Sequence, residues 1–166
     1  IGFGRRNMDA SLDEIRDYVT YQVGAIQAFA LSEGLKLQHV KPHGALYNMA
    51  VKNPAIWEAV AEAIADVDTR LILFVLAVKD RENLEAVGAR YGIRIAYEFF
   101  GDRAYNSDGS LVSRKEPGAV IHDNEIVAEK ILKMVKEGRV VCKDGSEIEM
   151  TADTICVHGD NPSALS

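Results

Sequence analysis

Leu71-Ile72-Leu73-Phe74-Val75-Leu76-Ala77-Val78 is an unbroken run of eight apolar residues. A run of this kind predicts a strand that is covered on both faces, which is typical of parallel sheets. Segments with helical periodicity lie on either side of it, over residues 53–67 and 80–90. Because strands and helices alternate along the chain, the sequence predicts an α/β fold with a mostly parallel sheet.

Start and end signals place the remaining elements. Ser11-Leu12-Asp13-Glu14 has the pattern of a capping box, and Asn53-Pro54 combines an N-cap residue with proline at the first helical position. The helical periodicity that follows the capping box predicts a buried stripe formed by Ile15, Val19, Val23, Ile26 and Phe29. The predicted elements are helices over 11–34, 53–67, 80–90 and 123–138, strands over 35–40, 71–78, 93–99 and 154–157, and a hairpin over 140–150 around Asp144-Gly145.

Composition limits the class of protein. A chain of 166 residues predicts a single domain over 1–166 with a substantial core. The net charge of −6 argues against a general binder of nucleic acid or of anionic membranes. No apolar run approaches the roughly 20 residues of a membrane span, and no export signal is visible. Cys142 and Cys156 are predicted to be free thiols in a reducing compartment, so we expect a cytoplasmic protein.

Residues 41–48, Lys-Pro-His-Gly-Ala-Leu-Tyr-Asn, follow the predicted strand over 35–40. In α/β folds the loops at the carboxyl ends of strands carry the chemistry. Lys41 can hold a phosphate or a carboxylate, and His43 can transfer a proton near neutral pH. In isolation these two would be a solvated lysine and a hydrogen-bonded turn histidine, but the bracketing proline and glycine favour a ligand site. His39 lies in the apolar strand and is predicted to be a core residue rather than a metal ligand.

Two further polar groups follow predicted strands. His158-Gly159-Asp160 stands where the last strand ends, and it could either cap a following helix or supply a base beside an anion-binding helix terminus. The polar loop over 101–117 is long enough to be functional. With the strand before it, this loop carries Glu98, Asp102, Arg103, Tyr105 and Arg114. Singly such residues usually face solvent; as a set they can supply an acid, a base and an arginine clamp.

Common catalytic and nucleotide-binding motifs do not occur in the sequence. There is no Walker A motif, G-x-S-x-G, C-x-x-C or H-E-x-x-H, and Gly2-x-Gly4 lacks the third glycine of a dinucleotide fingerprint. Any nucleotide site must therefore be built in another way.

Several blocks of the sequence nevertheless occur together in the order that characterises one family. They are residues 2–6, 41–48, 102–105, 111–114, 117–121 and 157–160. Together these blocks resemble the LamB/YcsF family, the A subunit of the prokaryotic 5-oxoprolinase, along essentially the whole chain. Several blocks in the right order are far more specific than any single motif.

The resemblance implies an irregular β/α barrel of the glycoside hydrolase and deacetylase type, of which residues 1–166 would form the C-terminal two-thirds. It implies ATP-dependent hydrolysis of the 5-oxoproline lactam to glutamate, with Mg²⁺ accompanying the ATP and with subunits B and C as partners. Carried over by position, the acid–base candidates are His43, His158 and Asp160. The candidates for binding substrate or phosphate are Lys41, Tyr47, Asn48, Arg103 and Arg114. The sequence identifies no metal ligands.

Two alternatives stay open. One is a metal-dependent carbohydrate or amide deacetylase, and the other is a non-catalytic subunit that presents 5-oxoproline to its partners. The β/α units that open the family's fold, including an acidic block and two histidine-containing loops, do not occur before Ile1. We therefore expect the chain to be inactive without other protein.

Overall fold

The computed structural model describes residues 6–79 and 81–159. The described residues divide into two compact units. Unit 1 holds the residues up to 75 together with 81–96, and unit 2 holds 76–79 together with 97–159. The prediction of a single domain over 1–166 stays a prediction.

The helices lie where capping signals and periodicity predicted them, with one addition. Ser11 and Glu14 form the predicted capping box, and the Asn53 side chain accepts a hydrogen bond from Ala55 N ahead of Pro54. The helices are α1 (Leu12–Ser32), α2 (Ala45–Lys52), α3 (Pro54–Val67), α4 (Glu82–Tyr91) and α5 (Asn124–Glu137). Helix α2 was not predicted. Its N-cap residue, Gly44, has no side chain to accept a capping hydrogen bond, so the usual start signal is missing.

Six strands are present in the described residues, and four of them form one sheet. They are β1 (His39–Val40), β2 (Ile72–Leu76), β3 (Arg94–Phe100), β4 (Arg139–Val141), β5 (Glu147–Glu149) and β6 (Thr154–Cys156). In unit 1, β1 pairs in parallel with β2. In unit 2, Ala77 N donates to Glu98 O at 2.9 Å, and β3 pairs in parallel with β6 so that Phe100 lies opposite Cys156. The strand order is β1-β2-β3-β6, which confirms the predicted α/β fold with a parallel sheet.

Unit 1 is built on the packing of α1 against α3. Ile15, Val19 and Val23 of α1 are buried, as predicted, but Ile26 and Phe29 are 57% and 72% exposed. The stripe prediction is therefore wrong for the last turns of α1. Helical periodicity shows which face of a helix is apolar, but not how far along the helix a partner covers it.

The segment before the predicted ligand loop also differs from expectation. The strand predicted over 35–40 is only His39–Val40, and Leu35 is 63% exposed. His39 is exposed rather than a core residue, and its ring stacks on Phe74 with centroids 4.1 Å apart. A strand at the end of the described sheet order has a neighbour on one side only, which leaves His39 partly uncovered.

Unit 2 contains β3 from Tyr97 onwards, β6, α5 and the hairpin. The antiparallel pair β4–β5 confirms the hairpin predicted around Asp144-Gly145. Helix α5 runs from its N-cap Asp123 to Gly138, as predicted. Gly101 permits close packing of α5 on the residue that follows β3, because an added Cβ would lie 2.6 Å from the Cδ1 of Ile131. Cys142 and Cys156 are both free thiols, as predicted, and the reducing compartment stays a prediction.

Candidate functional site

The register of β3 and β6 brings two predicted site residues together in unit 2. Phe100 and Cys156 are partners at the ends of these parallel strands, and Gly101 N extends the ladder by donating to Cys156 O at 3.0 Å. Asp102 and His158 each lie two residues beyond that pair. Because parallel strands advance at the same rate, both side chains emerge at the same place at the carboxyl edge of the sheet.

Asp102 and His158 form a hydrogen-bonded pair. The Asp102 carboxylate is fully buried, whereas the His158 side chain is 19% exposed. His158 Nδ1 lies 2.9 Å from Oδ1 and 3.0 Å from Oδ2 of Asp102, and the His158 backbone N–H donates to Oδ2 at 3.0 Å. Since Nδ1 faces a carboxylate, it carries the proton in the neutral ring, and Nε2 is then the acceptor. The pair therefore has the elements of a general base whose orientation is set by a buried carboxylate.

The ring of His158 is also held by packing. The aromatic ring of Phe100 stacks on it with centroids 5.4 Å apart and an interplanar angle of 21°. The Phe100 N–H donates in turn to the Tyr105 hydroxyl at 2.8 Å. Burial raises the pKa of Tyr105 well above its usual value, so this phenol stays protonated over the physiological range. Tyr105 therefore has a supporting role in the loop rather than an acid–base one.

Lys130 of α5 is a component of this region that was not predicted. Its Nζ donates to the carbonyl oxygens of Phe100 at 3.1 Å, Gly101 at 3.3 Å, and Arg103. It also lies over the rings of Phe99 and Tyr105, 4.8 Å and 4.7 Å from their centroids. The sequence did contain a signal, because Lys130 occupies an inward position of the Val127, Ile131 and Met134 stripe of α5.

The electrostatics of Lys130 are unusual for a helix lysine. Burial lowers the pKa of Lys130 to about 7, and the positive charge of Arg103 acts in the same direction. The Asp102 carboxylate and, more weakly, Cys142 oppose the shift because they favour the ammonium form. A strongly shifted lysine beside a buried carboxylate is the kind of group that marks functional sites.

Arg103 and Arg114 were predicted to bind substrate or phosphate. Arg103 is buried, and its guanidinium donates from Nε to Ala119 O at 3.0 Å and from Nη2 to Val112 O at 2.5 Å. These bonds connect the start of the loop after β3 to its middle, at Val112, and to its later part, at Ala119, so Arg103 has a structural role. Arg114 is half-buried in the same loop. A binding role for either residue stays a prediction.

The other predicted group, residues 41–48, belongs to unit 1. Lys41 is half-buried, while His43 and Asn48 are exposed. Tyr47 and Asn48 lie in the first turns of α2, not in a loop. Tyr47 is a core residue, 5% exposed, with its ring edge-on to Trp57 at 5.6 Å. Its packing role is visible in the structure, and its predicted role in orienting substrate stays a prediction.

The described residues contain neither a cluster of metal ligands nor a membrane-spanning helix. No group of three or more His, Cys, Asp or Glu residues that could hold a metal ion occurs in residues 6–79 and 81–159. No helix within the same ranges is long and apolar enough to cross a membrane. Asp160, a predicted acid–base residue, lies outside the described residues, as does the Gly2-x-Gly4 segment.

The fold and the Asp102–His158 pair together define a class of protein. The chain is an α/β protein with side chains for acid–base chemistry on the segments that follow its parallel strands. Comparison with known families makes the class specific: the chain belongs to the LamB/YcsF family, whose model matches residues 1–166. The family resemblance is thereby confirmed.

Relatives and a solved structure agree with this assignment. The 5-oxoprolinase A subunit of Thermococcus onnurineus is 52% identical over 165 residues, which cover 99% of this chain and 64% of the relative. The protein of the same name from Alkaliphilus metalliredigens is 48% identical over 99% of this chain and 63% of its own length. The crystal structure of the lactam utilization protein from Thermus thermophilus matches with a TM-score of 0.86 and 42% identity, covering 98% of this chain and 64% of that one. The chain thus spans slightly less than two-thirds of the length of these relatives.

Proposed function

We propose that this chain acts in the hydrolytic opening of the 5-oxoproline lactam to glutamate, as part of a 5-oxoprolinase A subunit. The Asp102–His158 pair is the observation that carries the proposal, because hydrolysis of an amide needs a base for water and an acid for the leaving nitrogen. The names of the relatives support the choice of substrate class. The word "subunit" in those names describes proteins of a multi-subunit assembly.

The chemistry of the ring opening gives His158 a defined task. Water adds to the lactam carbonyl carbon while its proton passes to Nε2 of His158. The carbon–nitrogen bond then breaks, and the nitrogen takes a proton from the imidazolium to become the amino group of glutamate. Asp102, bonded to Nδ1, keeps the ring oriented and stabilises the positive charge that forms on it.

ATP, with Mg²⁺, is proposed as the co-substrate. Its γ-phosphoryl group would pass to the amide oxygen as ADP leaves, which would activate the carbonyl carbon towards attack by water. Ring opening would then leave an acyl phosphate, from which a second water would release phosphate and glutamate. Lys41 is one candidate for binding a phosphate in this chain, since it is half-buried directly after β1. Arg103 is a second candidate, although two of its guanidinium nitrogens donate to loop carbonyls. We further propose that subunits B and C are required, that the chain alone is inactive, and that it acts in the cytoplasm.

The test is ATP-dependent release of glutamate from 5-oxoproline. The protein is expressed from its complete gene and is assayed with and without subunits B and C. We expect His158→Ala to lower kcat by about 10²- to 10⁴-fold, the usual contribution of a general base. His122→Ala is the matched control, because His122 is an exposed histidine that follows the same long loop.

Three outcomes would contradict parts of this proposal. Full activity of His158→Ala would remove the pair from catalysis and favour a subunit that only presents substrate. Turnover that is independent of ATP but abolished by chelators would favour a metal-dependent deacetylase. Turnover by residues 1–166 without any other protein would contradict the expected inactivity of the chain alone.

A further inference from the structure

The side chain of Lys130 bonds the backbone where β3 ends. After Phe100 the chain leaves the sheet, and the carbonyl oxygens of Phe100, Gly101 and Arg103 converge on the Nζ of Lys130. A lysine ammonium has three N–H donors and no acceptor, so three carbonyls match its protonated form completely.

The approach of α5 to this turn depends on Gly101. The space that a Cβ of residue 101 would fill is taken by the side chain of Ile131, the residue after Lys130. The small residue in the turn and the lysine on the helix are therefore parts of one arrangement. The glycine lets the helix come close, and the lysine bonds the carbonyls that the turn exposes.

Asp102 lies within the segment that Lys130 holds. The carbonyls on both sides of it, those of Gly101 and Arg103, bind the ammonium, and its own carbonyl accepts from Ile121 N at 2.9 Å. With the backbone fixed on both sides, the direction of the Cα–Cβ bond of Asp102 is also fixed, which limits the positions that its carboxylate can reach. That direction places both carboxylate oxygens within hydrogen-bond distance of His158 Nδ1.

We propose that Lys130 is a positioning residue that fixes the turn over 100–103 and thereby keeps the Asp102 carboxylate on Nδ1 of His158. Lys130 acts through Asp102 and not on the proposed base directly. The charged and titratable groups around it are Asp102, Arg103 and Tyr105 from the turn and loop, and Cys142 from the segment after β4. The catalytic consequence rests on the proposed function, whereas the structural claim does not.

The first test reads the hydrogen bond directly by nuclear magnetic resonance on the full chain, with ¹⁵N-labelled histidine. The Nδ1 proton of His158 is protected from exchange while Asp102 accepts it, and its resonance is assigned by its loss in His158→Asn. We expect this resonance in the unsubstituted chain at pH 6 and its loss or broadening in Lys130→Met. Lys133→Met is the matched control, because Lys133 lies on the same helix but pairs with Glu137 and Glu147.

The second test is kinetic and uses the complete assembly. Lys130→Met should lower kcat by about 10- to 100-fold, the usual effect of a residue that orients a functional group, with KM within about 2-fold. If Lys130→Met does not fold, Lys130→Gln keeps two N–H donors without the charge and is read in the same way. An unchanged Nδ1 resonance in a folded Lys130 variant overturns the inference. If the Lys130 variant loses the resonance, the inference is supported. If the complete assembly with the unsubstituted chain also shows no 5-oxoproline turnover, the proposed function is contradicted while the inference stands.

Discussion

Replacement of Lys130 by glutamine should change how the stability of the protein depends on pH. Burial lowers the pKa of this lysine to about 7 in the folded protein, whereas an unfolded chain gives a lysine its ordinary value of about 10.4. Between these two values the unfolded state binds more protons than the folded state. The free energy of unfolding must therefore rise with pH across this window, by at most about 1.4 kcal/mol per pH unit from this one group.

Glutamine does not titrate, so Lys130→Gln lacks this contribution. The difference in unfolding free energy between the unsubstituted chain and the variant should grow by up to about 3 kcal/mol from pH 7.5 to 9.5. Groups that titrate alike in both proteins cancel in this difference. Well below pH 7 Lys130 is protonated in both states, so the difference should no longer depend on pH there.

The assay is urea unfolding followed by circular dichroism at pH 6, 7.5, 8.5 and 9.5. Lys133→Gln is the control, because its bond to Glu147 raises the pKa of Lys133 and keeps it protonated in the folded protein. In the unfolded chain its ordinary pKa of about 10.4 keeps it largely protonated over the same range. For that variant the difference should be flat. Parallel pH curves for the unsubstituted chain and Lys130→Gln would refute the argument that burial has lowered the pKa of Lys130.

Individual contacts give three further predictions. Gly101→Ala places a Cβ 2.6 Å from the Cδ1 of Ile131 and should lower the free energy of unfolding in urea by about 1–3 kcal/mol. Adding Ile131→Val should restore part of this loss. Equal stability of Gly101→Ala and of the double variant would contradict the close approach. Asp102→Asn should lower kcat by a factor on the order of 10⁴, because an amide does not hold the same tautomer of His158. A loss below about 10-fold in steady-state kinetics would contradict a catalytic role for the Asp102–His158 pair. Asn53→Ala removes the cap of α3 and should cost about 1 kcal/mol, while Asn53→Ser should cost much less, as measured by thermal unfolding.

Elements that begin or turn at a local sequence signal were predicted correctly. The capping box at Ser11, the N-cap at Asn53 and the hairpin around Asp144-Gly145 all lie where the sequence placed them. These signals act between residues only a few positions apart, so they can be read without knowledge of the rest of the fold. Helix α2 was missed because it starts at a glycine with a φ of +62°, which gives no side-chain signal.

The candidate site was predicted as separate residues and not as a pair. Asp102 and His158 are 56 positions apart, and each was identified only by its place after a strand. Their contact depends on the parallel register of β3 and β6, which adjacent residues do not encode. Lys130 was not identified at all. Its inward position on α5 could be read from the sequence, but a lysine on a helix is normally solvated, and only the structure shows which carbonyls it bonds.

The sequence by itself determined the α/β class, the family and most helix boundaries, because periodicity, capping and ordered motif blocks are properties of the chain. The tertiary structure alone decided which predicted residues meet and which are buried. It joined Asp102 to His158, placed the Lys130 ammonium on three carbonyls, and left Ile26 and Phe29 exposed. The physical reason is that burial and long-range hydrogen bonds depend on strand register and helix packing, which arise only when distant parts of the chain come together.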